Sequence, residues 1–570
     1  MGLESGWAST LVACPAILAL LLFATGVAAF PGRPQSERTG TALTRRIGWV
    51  TRLTACQAVA ALVSLTVWAW VHFGRLLGGT SLPKGDVFVE VVVAEQSLLL
   101  YDGVSALMLA LVSSIGWVIC RFSVRYLHGE SGQARYFRWT AITIAAVSWM
   151  VIAGNLALFV ACWVMTSIGL HHLLLHYPER PAARRAAWTI FIISRFGDVA
   201  LVTASVVLLQ QFGTLDFREM FTLVAAWNAD TVPLAANVSA GLLIVGAVTK
   251  SAQFPLHTWL PLTMETPTPV SALMHAGIVN AGGYLVIRAS PLLADAPESL
   301  AVLAIFGAMT LLYAAVVMTT QTSVKKRLAY STIAQMGFMM LQCGMGAFSA
   351  AMLHILAHSA YKAHAFLGSG DAVSDAARMV VPDCGRATES RVGRLAAPAR
   401  VLVTAIVLVA AMAGAFVLLG IDIASKPGGG LLGSVVVLGL GFWNLHTATR
   451  FGPVTWMQTM TLSVALCLVY AASFAVVDAA VVDGVGTLRT TTVSFVLSAL
   501  ILFAIIVGGV LQVTFSQALP TPWLHEFRIH AGNGFYVESL IRRLATPLHR
   551  DRASSKPSLA AARNDIRNER

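Results

Sequence analysis

A few charged and titratable residues lie in or beside long apolar runs, where an ionisable group costs several kcal/mol and therefore marks a pathway or a pair. Lys250 follows the apolar run Gly241 to Thr249 and stands five residues before Pro255, in the stretch KSAQFPLHTWLPLTMETPTPVSALMH. Proline lacks an N–H, so a helix breaks there and frees backbone carbonyls. A broken helix beside a lysine is a means of building an ion site at membrane depth. A desolvated lysine on a flexible stem can take up and release protons. The alternative is a lysine snorkelling to the interface. His257 lies near the break, and His275 sits inside the next run, as hydrogen-bonded packing or as a proton relay.

A second group is His354, His358 and Lys362, at i, i+4 and i+8 in HILAHSAYKAH. These share one helix face and extend over about 12 Å at the helical rise per residue. They fit a hydrated proton path, structural hydrogen bonds or a histidine metal pair; the metal reading lacks a carboxylate or cysteine on that face. Arg195 and Asp198, at i and i+3, form a local ion pair or a charge coupled to Lys250. His171 and His172 end the preceding span, at headgroup level or at the mouth of a path.

The elements that must position these groups are membrane helices. Of the 570 residues, 57% are hydrophobic and 12% charged, against about a quarter charged in globular domains. Apolar blocks run from Leu11 to Phe30, Ala141 to Ala153, Ala187 to Leu209, Val401 to Leu419 and Phe495 to Val513. A bilayer core needs about 20 apolar helical residues, and hydrocarbon admits only helices or closed barrels. Blocks without strict alternation are helices. About 15 spans are expected, beginning near 8, 56, 103, 138, 155, 187, 239, 268, 297, 328, 349, 399, 432, 457 and 492; those near 239, 328 and 349 carry polar or Gly/Pro interruptions. The chain opens Met-Gly-Leu-Glu-Ser with no basic n-region, so a retained first helix is expected rather than a signal peptide.

The formal net charge of +12 is distributed by topology, which excludes nucleic acid as its partner. Odd loops are basic (Arg45, Arg46, Arg52; Arg121, Arg125, Arg135, Arg138; Arg180, Arg184, Arg185; Lys325, Lys326, Arg327). Even loops are acidic or neutral (Asp86, Glu90; Asp216, Glu219, Asp230; Asp295, Glu298; Asp483). This is the positive-inside pattern; it expects an N-terminus outside, a cytoplasmic C-terminal tail, and basic residues contacting lipid headgroups. The seven cysteines are scattered without a CxxC pair, so neither a disulfide framework nor a zinc site is supported. With no GxGxxG, Walker or haem spacing, no cofactor and no catalytic residue are expected on this chain.

Three ordered motifs carry a family resemblance: KSAQFPLHTWLP…PTPVSALMHA from Lys250, QTSVKKRLAYSTIAQMGFM from Gln321 to Met339, and HILAHSAYKAHAFLGSG from His354 to Gly370. Arg195-Phe-Gly-Asp198 and Tyr126-Leu-His-Gly129 fit the same pattern. Over roughly 90 to 380 the sequence resembles the antiporter-like membrane subunits of respiratory complex I (NuoL), Mrp antiporters and the DabB inorganic-carbon transporters. The resemblance implies an all-α polytopic protein of about 14–15 transmembrane helices, with inverted repeats and broken helices, conducting H⁺ or Na⁺. It makes Lys250 the broken-helix lysine and Lys362 the connecting lysine. It places His275, His354, His358, Arg195, Asp198, Lys325 and Lys326 with them in ion translocation.

The departures from that pattern are specific. Met165-Thr-Ser-Ile-Gly-Leu170 has Thr166 where the family carries a glutamate facing the lysine, and a threonine cannot tune a lysine by charge. Leu262 replaces an aspartate, with Glu265 nearby. Val401 to Gly430 shows no second broken-helix lysine, and no long lateral helix follows. The variant LPLTMETPTPVSALMHA is closest to the DabB-type pattern. That resemblance implies a bacterial inner-membrane, non-enzymatic subunit that couples ion flux to CO₂ hydration on a large zinc-binding DabA-like partner. The alternative is a complex I or Mrp-type antiporter subunit. Expected divisions are N-terminal transmembrane helices (1–100), the ion-translocating core (101–380), C-terminal transmembrane helices (381–516), an amphipathic cytoplasmic segment (517–552) and a disordered tail (553–570).

Overall fold

A computed structural model describes residues 2–29, 40–77, 89–93, 96–227, 232–370, 391–421, 427–450, 453–486 and 522–545. The chain begins with α1 (Gly2–Ala29) and α2 (Gly40–Leu77). The antiparallel strands β1 (Val89–Val93) and β2 (Gln96–Tyr101) follow, with Val89 opposite Tyr101 and a bulge between Val91 and Val92. This hairpin is the exception to the all-α expectation. Its apolar run, VFVEVVV, is too short to span as a helix. The β2 backbone bonds instead to the loop after α4, through Leu100 N–H to Ile152 O at 2.9 Å and Gly154 N–H to Leu98 O at 3.0 Å.

The core helices start where capping residues put them. Asp102 caps α3 (Gly103–Tyr126) by accepting from Ser105 N at 2.8 Å. After α4 (Gln133–Val151), Asn155 caps α5 (Leu156–Leu174), and Pro181 opens α6 (Pro181–Phe212). Such residues satisfy, or never possess, the first orphaned N–H groups of a helix. Asp216 caps the short α7 (Phe217–Ala225) and also accepts from Ser97 N at 3.0 Å, tying α7 to the hairpin.

Then come α8 (Leu234–Lys250), α9 (Trp259–Leu262), α10 (Thr268–Ala276), α11 (Ala281–Arg288), α12 (Ser290–Leu293), α13 (Pro297–Thr320), α14 (Val324–Gly344) and α15 (Phe348–Leu367). Beyond the core lie α16 (Arg391–Leu418), α17 (Pro427–Arg450) and α18 (Pro453–Val481), then α19 (Pro522–Gly532) and α20 (Val537–Ala545).

Seven of the described helices are long and apolar enough to cross a membrane, and the protein is a polytopic helical membrane protein. Every span expected up to 457 coincides with a described helix; the one expected near 492 lies outside the described residues, as does the 553–570 tail. The stretch Thr268–Arg288 is 94% buried, against 39% for α6 and α13, so α10 and α11 form the axis of the bundle.

The polar and Gly/Pro interruptions of the three spans have different consequences. The helix near 239 does break, at Lys250 itself. Those near 328 and 349 do not: α14 and α15 are continuous. The glycines of α14 serve packing instead, since a Cβ on Gly337 or Gly344 would strike the backbone of α13. The second break falls inside the span beginning at 268, where Gly277 (φ −121°, ψ −73°) separates α10 from α11.

Candidate functional site

Lys250 is the last residue of α8 and is 6% exposed. Its ammonium donates to Ser167 Oγ at 2.6 Å, Thr166 Oγ1 at 2.9 Å and the Trp163 carbonyl at 3.3 Å, all on α5. It also lies 4.8 Å from the centre of the Trp163 ring, within cation–π range. The hydroxyl of Thr166 thus sits where the resemblance expects a carboxylate. An ammonium has three protons to donate, and here neutral oxygens receive them. The lysine does not snorkel; it is held inside.

The carboxylate that interacts electrostatically with Lys250 belongs to α6. Asp198 is buried, lies 2.6 Å from Arg195 Nη2, and interacts electrostatically with Lys250. Neither atom of the Arg195–Asp198 contact meets hydrogen-bond geometry, so the pair is a charge contact rather than a directed bond. Asp198 thus contacts Arg195 locally, and its charge also acts on Lys250. Gly197 makes the approach possible, because a Cβ there would collide with Thr249 Oγ1 on α8.

Lys362, fully buried on α15, donates to Ser331 Oγ of α14 at 2.8 Å. His354 and His358 share its face, with ring centroids 5.9 Å apart. His354 Nδ1 meets Gln342 Oε1 at 3.0 Å. His275, from the axis, stacks on Phe366 at 4.2 Å. All three histidines interact electrostatically with Lys362. Both ring nitrogens of His275 and of His358 are buried without a hydrogen-bond partner in the protein, as are Gln335 Oε1 and Gln342 Nε2. Orphaned buried polar atoms are rare and costly, and they require an explanation of their own. Imidazoles so placed beside a lysine are able to accept and pass protons.

The sequence-selected residues thus divide. Lys250, Arg195 and Asp198 form one cluster, and His275, His354, His358 and Lys362 a second around α10, α14 and α15. Lys325 and Lys326 join neither, standing on the first turn of α14 near the surface. His171 Nδ1 meets the Ala187 carbonyl at 3.0 Å and His172 stacks on Trp139 at 3.8 Å, so both pack α5 against its neighbours. Glu265 pairs with Arg180 at 3.6 Å at the surface.

A buried pair escaped the sequence reading. Arg288, 1% exposed at the end of α11, donates to Asp102 through Nη1 at 2.6 Å and Nη2 at 3.0 Å, and to Ser105 Oγ at 2.5 Å. Tyr284 O–H lies 3.1 Å from Nη2 and donates to the Val151 carbonyl at 2.5 Å. The signal was available: Arg288 closes an apolar span, and an intramembrane charge requires a partner.

Residues 153–421 match the family described as NADH:quinone oxidoreductase/Mrp antiporter, TM, and residues 97–137 match the complex I chain 5 N-terminus family. A probable inorganic carbon transporter subunit, DabB2 of Halothiobacillus neapolitanus, is 45% identical over 52% of this chain and 52% of its own. NADH-quinone oxidoreductase subunit L of Escherichia coli is 41% identical over 48% of this chain and 45% of its own. The chain thus spans about half the length of the curated relatives it matches. Among solved structures, the Mrp complex from Dietzia sp. aligns with a TM-score of 0.57 at 22% identity, covering 95% of this chain and 61% of that one. An archaeal membrane-bound sulfane sulfur reductase aligns at 0.50 and 18%, covering 94% and 98%. Both structural likenesses concern the fold alone.

Proposed function

From a chain whose residues 97–421 carry an antiporter-like core, we propose that the protein conducts cations, protons first, as the membrane subunit of an energy-coupled inorganic carbon uptake complex. CO₂ hydration lies on a large zinc-binding partner, and this chain performs no chemistry of its own. One observation carries the reading: the buried Lys250 ammonium is held by the hydroxyls of Thr166 and Ser167, with the family's facing glutamate absent. The site retains a lysine able to exchange a proton and lacks the carboxylate of the redox-driven pumps. The DabB name borne by several relatives accords with this. The protein resides in the bacterial inner membrane with its basic loops in the cytoplasm.

A second reading, a subunit of a complex I or Mrp-type antiporter, rests on the 41% identity to subunit L. Growth rescue separates them. A bacterium lacking carbonic anhydrase is given this gene with and without its zinc partner at ambient CO₂. Rescue by both genes together, abolished by a protonophore, is expected. Absence of rescue with both proteins stably expressed would favour the antiporter, to be examined as Na⁺/H⁺ exchange in vesicles.

A further inference from the structure

Between Lys250 and the basic end of the bundle lies a second series of polar groups, which the two lysine clusters leave unused. The broken stretch after Lys250 carries Gln253, fully buried, whose Oε1 has no hydrogen-bond partner. His257 follows, 1% exposed, its Nδ1 equally unpartnered. The His257 ring lies 4.7 Å from that of Tyr313 on α13. The hydroxyls of Tyr313 and of Tyr330 on α14 converge on the same residue, Gly534.

The series is completed by a segment distant in sequence. Tyr313 O–H donates to the Gly534 carbonyl at 2.9 Å, and Gln321 Nε2 to the Gly532 carbonyl at 3.2 Å. These bonds seat α19, α20 and the turn between them on the ends of α13 and α14. Within the amphipathic segment α20 starts only at Val537, because Gly534, Phe535 and Tyr536 are all left-handed (φ 58°, 48° and 61°). Such conformations cost about 1–3 kcal/mol at each non-glycine residue and persist only where surrounding structure imposes them. The turn is tightly fitted: a Cβ on Gly534 would lie 3.1 Å from the Tyr313 hydroxyl and 3.3 Å from that of Tyr330. Beyond it, α20 packs against the turn Leu256–Thr258, and its Glu538 interacts electrostatically with both tyrosines. Glu538 is itself exposed to water.

We propose that Glu538, Tyr330, Tyr313 and His257 form the access relay joining the basic-end solvent to the Lys250 compartment, and that the Pro522–Ala545 segment completes it. The inference rests on the ion-conducting reading above. The Glu538 carboxylate takes a proton from water; each phenol accepts one proton as it gives up its own, so neither becomes charged; His257 receives it at Nδ1 and passes it inward. Reverse flow uses the same groups. The buried nitrogen of His257, otherwise unsatisfied, thereby has a transient partner.

The test uses the full-length protein, with any partner that copurifies, in liposomes under an imposed potential, reading proton flux with a pH-sensitive dye. Glu538→Gln and the double variant Tyr313→Phe/Tyr330→Phe should each lower flux about tenfold, and Glu538→Asp should restore most of it. Glu538 is exposed, so its substitution leaves the fold intact, and Tyr470→Phe in α18 serves as a phenol control with unchanged flux. Wild-type flux in Glu538→Gln, or equal loss in Glu538→Asp, overturns the relay while leaving the conducting function standing. A wild-type protein that conducts neither H⁺ nor Na⁺ overturns the reading on which the relay rests.

Discussion

Two regions of this protein bury cations in opposite ways. At the hairpin end, Arg288 meets Asp102 through two parallel bonds, with Ser105 and Tyr284 taking up what remains. In mid-core, Lys250 and Lys362 are held chiefly by hydroxyls. A bidentate arginine–carboxylate pair is rigid and permanently charged. A lysine among neutral oxygens is a point charge that can lose its proton and leave nothing uncompensated. The contrast separates a charge used as a clamp, joining α3 to α11, from charges placed to exchange.

The largest effect is expected from Arg288→Ala, which strands the Asp102 carboxylate. Removing one partner of a buried pair costs about 3–5 kcal/mol. Folded protein recovered by detergent size-exclusion should fall steeply, and Asp102→Leu/Arg288→Met should recover much of it. Lys250→Ala is expected to do the reverse, abolishing ion flux while membrane insertion and thermal midpoint stay near wild type. Normal flux in that variant would remove lysine exchange from the mechanism.

A smaller effect tests the hydroxyl cage. Thr166→Val removes one acceptor from Lys250 and nearly preserves shape, so flux should fall several-fold, up to about tenfold for about 1.4 kcal/mol. An unchanged rate would assign the lysine's positioning to Ser167 and Trp163.

The smallest concerns His176, in the loop after α5. Burial holds this imidazole below its ordinary value of 6.5, with Arg135 adding to the effect and Glu130, at 3.2 Å, opposing it. The folded state therefore binds this proton less readily than the unfolded chain, and stability is lost as pH falls through about 6.5. His176→Gln should flatten the fall in thermal midpoint on acidification; an unaltered slope would place the acid sensitivity elsewhere.

Much of the helical order was legible, because hydrocarbon forces each long apolar block to satisfy its own backbone. The single face of His354, His358 and Lys362 followed from helical spacing alone. Which glycines break a helix was not legible: Gly277 interrupts one and Gly337 merely packs, and only the neighbouring α13 backbone distinguishes them. The strands at 89–101 were hidden in the same way, since β2, besides pairing with β1, bonds to a loop some 50 residues later.

The amino-acid sequence by itself determined the solvent of this protein, the order of its helices and which charges had to be explained, since burial costs and helical period act locally. The tertiary structure alone decided what faces each charge. Thr166 and Ser167 cradle Lys250, Asp102 clamps Arg288, and the turn at Gly534 reaches Tyr313, from positions 83 to 221 residues away. Partners at that separation are set by packing, which no local pattern records.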